Sequence, residues 1–208
     1  MARLPGGDVG AIGSSPEGAS TAVWNTYIWV ESADETAAKV REAGGSVLAE
    51  PFDVFDAGRM AFASDTQGSV FGIWQAREHI GAQLVNEPSA YAWAELLTTD
   101  IVASQSFYTA VFGWVPHEVG DDPGFLYRMQ LVGDRPVGGI FQVDGMPPGW
   151  AAYFAVEDAD ATAARAEELG AAVLRPPEDT PYGRMAVLAD PGGAGFAVIR
   201  LAEGLARA

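Results

Sequence analysis

The sequence has no cysteine, two histidines, no long apolar run and few basic residues. Each shortage excludes something. Without cysteine there is no disulfide, no thiolate nucleophile and no thiolate metal site. That fits a reducing compartment and points to the cytoplasm. No stretch of about 18 apolar residues exists, so no transmembrane helix is expected. The opening residues, "MARLPGGDVGAIG", lack the apolar stretch of a signal peptide. Lys and Arg number 12 against 28 Asp and Glu, a formal net charge of −16. Such a balance repels phosphate backbones and anionic lipids, so neither nucleic acid nor membrane is an expected partner. What is present suits a packed protein. The 208 residues are 49% hydrophobic and 19% charged, enough to bury a sizeable core.

The chain repeats itself. Trp24 to Gln75 and Trp150 to Arg200 align, with Trp24, Tyr27 and Gly44 matching Trp150, Tyr153 and Gly170, each 126 residues on. After one deletion, Gly58-Arg59-Met60 and Asp65 match Gly183-Arg184-Met185 and Asp190, 125 residues on. Each copy reads as a strand, a helix and three more strands. Ser32 followed by Glu35 predicts a capping box, and Asp158 predicts the N-cap of the later helix. Gly44 and Gly170 predict the helix ends. A further copy lies between them. "AWAELLTTD" is its first strand, and Asp100 or Thr99 caps a helix bearing Phe107, Tyr108, Val111 and Phe112, ended by Gly113. "WVPHEV", "FLYRMQL" and "VGGIFQV" are its remaining strands. Ala76 to Ala90 reads as a linker, and "GSSPEGAST" (Gly13 to Thr21) as a loop.

Val9-Gly10-Ala11-Ile12 matches Val137-Gly138-Gly139-Ile140, and Met1 matches Met129, 128 residues on. The chain therefore reads as opening inside an earlier copy, with about 40 residues of that copy absent. The expected organisation is an incomplete first domain at 1–75, a linker at 76–90 and a complete second domain at 91–202.

Paired βαβββ units, a helix ending "FYTAVFGW" and a closing "DPGGAGFAVI" resemble the vicinal oxygen chelate superfamily. Its members include glyoxalase I, extradiol dioxygenases, fosfomycin-modifying enzymes and bleomycin-binding resistance proteins. The "DTQGSVFGIWQ" ending is similar to that of two-domain, glyoxalase-like members. The resemblance implies an α+β fold of tandem βαβββ units that form cupped mixed sheets, one complete cup plus an incomplete one, with the ligand inside.

The family's metalloenzymes take ligands from the first and last strands of a unit. The first-strand positions here are Asn25, Trp93 and Ala151; the last-strand positions are Ala11, Gly72, Gly139 and Ala197. None is His or Glu, and the lone amide of Asn25 does not hold a metal. No metal and no other cofactor is therefore expected. His79 and His117 read as surface residues. Gly72, Gly139 and Ala197 are expected to leave room on the concave wall. Strand alternation then places Trp93, Glu95, Gly139, Phe141, Tyr153 and Ala197 along one cup, and Asn25, Tyr27, Gly72 and Trp74 along the other. An apolar, aromatic lining with few polar groups suits an organic ligand.

The expected function is metal-free binding of a hydrophobic or aromatic small molecule. The alternative is an enzyme of the same superfamily. It would be a lyase, hydroxylase or dioxygenase type, either metal-dependent or metal-free with Glu95 as catalytic acid or base. The residues leave open whether a reaction occurs. Exposed aromatics in the incomplete half point to a homodimer or to a loosely held first half.

Overall fold

The computed structural model describes residues 1–14, 21–120 and 124–205, so part of the Gly13-to-Thr21 loop lies outside the described residues. Three stretches carry the βαβββ order. The first holds β3 (Tyr27–Trp29), α1 (Ala33–Glu42), β4 (Ser46–Val54), β5 (Gly58–Ser64) and β6 (Val70–Ala76). The second holds β7 (Tyr91–Thr98), α2 (Ile101–Phe112), β8 (Val115–Glu118), β9 (Tyr127–Val132) and β10 (Arg135–Gln142). The third holds β11 (Gly149–Ala155), α3 (Ala159–Glu168), β12 (Ala172–Thr180), β13 (Gly183–Ala189) and β14 (Gly195–Leu201). Before them, β1 (Ala2–Leu4) and β2 (Gly7–Gly10) form an antiparallel hairpin.

Each repeat pairs its strands in the same way. The first strand runs parallel to the last, giving β3-β6, β7-β10 and β11-β14. The last strand runs antiparallel to the one before it, and so does the next pair. The helix after the first strand is the crossover that parallel pairing needs, while short turns suffice for the antiparallel pairs. The fold is α+β with tandem βαβββ units and mixed sheets.

Local chemistry explains the boundaries. Ser32 Oγ accepts the Glu35 N–H at 3.2 Å, and Asp158 accepts the Ala161 N–H at 3.0 Å. Asp100 accepts the N–H groups of Val102 and Ala103 at 3.0 and 2.9 Å. These caps satisfy donors that the first helical turn leaves free. Gly44, Gly113 and Gly170 follow with φ of +85°, +70° and +90°, the left-handed conformation that stops a helix. Asp65 Oδ1 accepts the N–H groups of Gln67 and Ser69, both at 2.9 Å. Asp190 does the same for Gly192 and Ala194 at 2.8 and 2.9 Å. The repeated aspartate thus fixes the turn before the last strand of the first and third repeats.

Arg59 and Arg184 also have a repeated role. Arg59 binds Asp34 through two nitrogens, at 2.7 and 3.0 Å, and Asp53 at 3.0 Å. Arg184 likewise bridges Asp160 and Asp179. Each arginine ties its helix to the hairpin of its repeat's second and third strands. The hydrogen bonds from arginine hold Asp34, Asp53 and Asp160 below the ordinary carboxylate range.

The chain condenses into two compact units. One gathers Met1–Trp24, Gly81–Trp93 and Ala151–Ala208; the other gathers Asn25–Ile80 and Ala94–Trp150. In the former, Ala163, Ala186, Leu188 and Val198 form a buried cluster, and Trp24 packs edge-on against Phe154 with centroids 4.8 Å apart. In the latter, one cluster joins strand residues Ile28, Ile73, Leu96 and Ile140 to helix residues Val40, Phe107, Tyr108 and Val111. Burying each such side chain contributes about 1.5–3 kcal/mol. Tyr108 is fully buried and its hydroxyl is satisfied. It donates to Asp65 Oδ2 at 3.3 Å and accepts from Trp150 Nε1 at 3.0 Å. Burial raises the Tyr108 phenol well above its ordinary value. Among the described residues, no helix is long and apolar enough to cross a membrane.

Candidate ligand-binding face

Alternation decides which side chains leave the core. Leu96 and Ile140 are buried in the cluster that includes α2, and they pair in register. Their neighbours Glu95, Gly139 and Phe141 therefore lie on the opposite face of the sheet. Gly139 pairs with Glu95 on β7 and with Met129 on β9, and Phe141 pairs with Tyr127. The structure thus brings Glu95, Gly139 and Phe141 together. It adds a residue that the sequence reading passed over, Tyr127.

Tyr127 is 8% exposed and Glu95 is 9% exposed. The Tyr127 ring stacks on Phe125, with centroids 6.0 Å apart and planes 12° apart. Phe141 lies 5.1 Å from Phe125 and 6.0 Å from Tyr127. Phe125 is 42% exposed, so one end of this three-ring group meets solvent. A Cβ on Gly139 would stand 2.1 Å from Tyr127 Oη and 2.6 Å from its Cζ. The phenol therefore occupies the space that a side chain at 139 would need.

A common register links the three repeats. Tyr27 pairs with Gly72, Glu95 with Gly139 and Tyr153 with Ala197. In each, a small residue on the last strand sits beside a larger polar one on the first. At Gly72 a Cβ would stand 2.3 Å from Tyr27 Cδ1 and 2.5 Å from Cε1, so this glycine lies under the Tyr27 ring. The expectation that Gly72 and Gly139 leave open wall is corrected: tyrosine rings fill both places. Partial burial raises the Tyr27 phenol above its ordinary value.

The remaining candidates fall as follows. Asn25 is exposed and precedes β3. Trp74 donates its Nε1–H to the His79 carbonyl at 2.9 Å, and its ring meets the His79 imidazole edge-on. His79 is thus half-buried rather than fully solvated. His117 is exposed on β8. Trp93, Tyr153 and Ala197 belong to the compact unit that contains the chain's last residues; Asn25, Tyr27, Gly72, Trp74, Glu95, Gly139 and Phe141 belong to the other.

The fold class raises the question of a divalent metal. The residues present do not fit one. The positions that would supply donors hold Ala11, Asn25, Gly72, Trp93, Gly139, Ala151 and Ala197. Two of these are glycines beneath tyrosine rings. Among the described residues there is no group of three or more His, Cys, Asp or Glu able to hold a metal ion.

Comparison with known proteins is consistent with this architecture. The model of the Glyoxalase/Bleomycin resistance protein/Dioxygenase superfamily matches residues 90–198. CFP32 of Mycobacterium tuberculosis, a suspected glyoxylase by its name, is 45% identical over 96% of this chain and 79% of its own. The anthracycline biosynthesis protein DnrV of Streptomyces peucetius is 41% identical over 88% of this chain and 67% of its own. Among solved structures, the Mn(II)-bound glyoxalase of Novosphingobium aromaticivorans aligns with a TM-score of 0.56 at 18% identity, covering 83% of this chain and 61% of its own. A 2,2',3-trihydroxybiphenyl 1,2-dioxygenase of Sphingomonas wittichii aligns with a TM-score of 0.57 at 16% identity, covering 84% and 68%. At such identities these two structures speak for the fold alone.

Proposed function

The chain belongs to the Glyoxalase/Bleomycin resistance protein/Dioxygenase superfamily, and on that premise we propose that it is a metal-free member that binds a hydrophobic or aromatic small molecule. The observation that carries the reading is the ring group of Phe125, Tyr127 and Phe141 beside Glu95 on one sheet face. Exposed Phe125 and half-buried Phe141 offer stacking surface with few polar groups, which suits a flat organic ligand. The Streptomyces relatives are named for anthracycline biosynthesis. Anthracyclines are fused-ring quinones, and a ligand of that shape fits the reading.

Hydroxyanthraquinone is a suitable probe. It should quench tryptophan fluorescence at saturating, stoichiometric levels and raise the melting temperature through mass action. Elemental analysis of the purified protein should find no stoichiometric metal. One tightly held Zn, Mn, Ni or Fe per chain would refute the metal-free part, and absence of both probe responses would refute the ligand class.

The second reading is catalysis with Glu95 as acid or base, and the burial of Glu95 on the same face favours it. Turnover of a bound probe that is lost in Glu95→Gln while binding persists would establish it; no turnover of any probe would leave binding alone. We also propose that the protein forms a homodimer through the first repeat. There the ligand-type face is wet, with Tyr27 45% and Trp29 60% exposed, whereas Glu95 and Tyr127 on the same face of the second repeat are buried.

A further inference from the structure

The two tyrosines that cover glycines present different atoms. Tyr27 lays Cγ, Cδ1 and Cε1 over Gly72, so ring carbon meets the strand. Tyr127 brings its oxygen, with Cζ and Cε2 behind it, over Gly139. The first arrangement is packing. The second places a hydroxyl at the base of the aromatic group, on the strand adjoining Glu95.

We propose that the Tyr127 hydroxyl is the hydrogen-bonding group that recognises an oxygen atom of the ligand, so that the site selects an oxygenated aromatic, a hydroxyquinone or a phenol, over the matching hydrocarbon. The proposal rests on the ligand-binding reading of this face and adds the substrate class.

Three features carry it. The phenol is held in place: Phe125 stacks along the Tyr127 ring, Phe141 tilts against both rings, and the β10 backbone lies below. A positioned donor loses little side-chain entropy on binding, which makes its hydrogen bond more effective. The group is versatile, because a phenol has one donor and more than one acceptor site, so an existing partner leaves it capacity for another. Whichever role that partner leaves open is available to the ligand: donation to a carbonyl oxygen or acceptance from a hydroxyl. Finally, the glycine is required. Any side chain at 139 would displace the oxygen from its seat, so the missing side chain and the hydroxyl form one device.

The test compares hydroxyanthraquinone with anthracene, which has the same three rings and no oxygen. Wild-type protein should bind the hydroxyquinone more tightly. Tyr127→Phe keeps the ring and removes the oxygen. It should weaken hydroxyanthraquinone binding about two- to tenfold, the value of one ordinary hydrogen bond, and leave anthracene binding unchanged. Equal weakening of both probes would show a purely structural tyrosine and overturn the proposal; so would no change in either. Failure of the wild-type protein to bind either probe would refute the ligand-binding reading itself, a different result from a lost preference between the two.

Discussion

Gly139→Ala tests the central geometric claim without any ligand. The added methyl would stand 2.1 Å from Tyr127 Oη and 2.6 Å from Cζ. Ordinary carbon contacts are about 3.5–4.0 Å, so the ring must move by more than an ångström. It has little room, because Phe125 and Phe141 flank it. Forcing extra volume into such a place costs about 1–3 kcal/mol, and loosening two aromatic pairs adds about 0.5–1.5 kcal/mol each. Removing the conformational freedom of glycine from the unfolded chain returns about 0.4–1 kcal/mol. The expected net effect is destabilisation by about 1–6 kcal/mol. Urea unfolding followed by tryptophan fluorescence measures it, as a lower midpoint at unchanged slope. The stronger form is a double-mutant cycle. Tyr127→Leu removes the ring, so Gly139→Ala should cost almost nothing in that background. Tyr127→Phe should not rescue, since Cζ remains too close. Gly149→Ala, with no atom within 4 Å of the new methyl, is the neutral control. If Gly139→Ala costs nothing, or costs as much without the Tyr127 ring as with it, the placement of that ring over the strand is wrong.

Two further outcomes follow from other features. Arg184→Gln removes the main cause of the lowered Asp160 pKa, its hydrogen bonds to the guanidinium. A depressed carboxylate pKa stabilises the fold above its unfolded value and loses that effect as pH falls through the folded one, so the variant should show a flatter acid limb of stability below about pH 4; an NMR titration of Asp160 that does not move toward the ordinary aspartate range would refute the assignment. For the dimer, wild-type protein should show concentration-dependent sedimentation that Trp29→Gln weakens, and a monomer at every concentration would remove the proposal.

Much of this was readable from the chain because it rests on short-range rules. The caps at Ser32, Asp100 and Asp158 and the stops at Gly44, Gly113 and Gly170 need only neighbouring residues. The parity that puts Glu95 beside Gly139 follows from period-two alternation within strands. Tyr127 was missed because its position depends on pairing between β9 and β10, which passes through a register shift between Pro136 and Gly138. A ring reaching diagonally across two strands is a tertiary fact, although the partner register would have suggested it. Arg59 and Arg184 stand out in the sequence as repeat landmarks, but nothing in it pairs them with acids. Only the folded hairpins bring Asp53 and Asp179 to them.

The division into compact units bears on synthesis. The chain passes between the units four times, so neither is a contiguous stretch. A ribosome that has released residue 150 has delivered all of the unit made from Asn25–Ile80 and Ala94–Trp150. Of the other it has delivered only Met1–Trp24 and Gly81–Trp93, whose remaining partners, Ala151–Ala208, are still to be made. At about 5–20 residues per second that wait lasts for seconds, long compared with the folding of a small domain. For that interval Trp24 has neither Phe154 nor Phe196 to pack on. The nascent chain is half folded and half waiting, and that is the stage at which a chaperone or a protease would meet it.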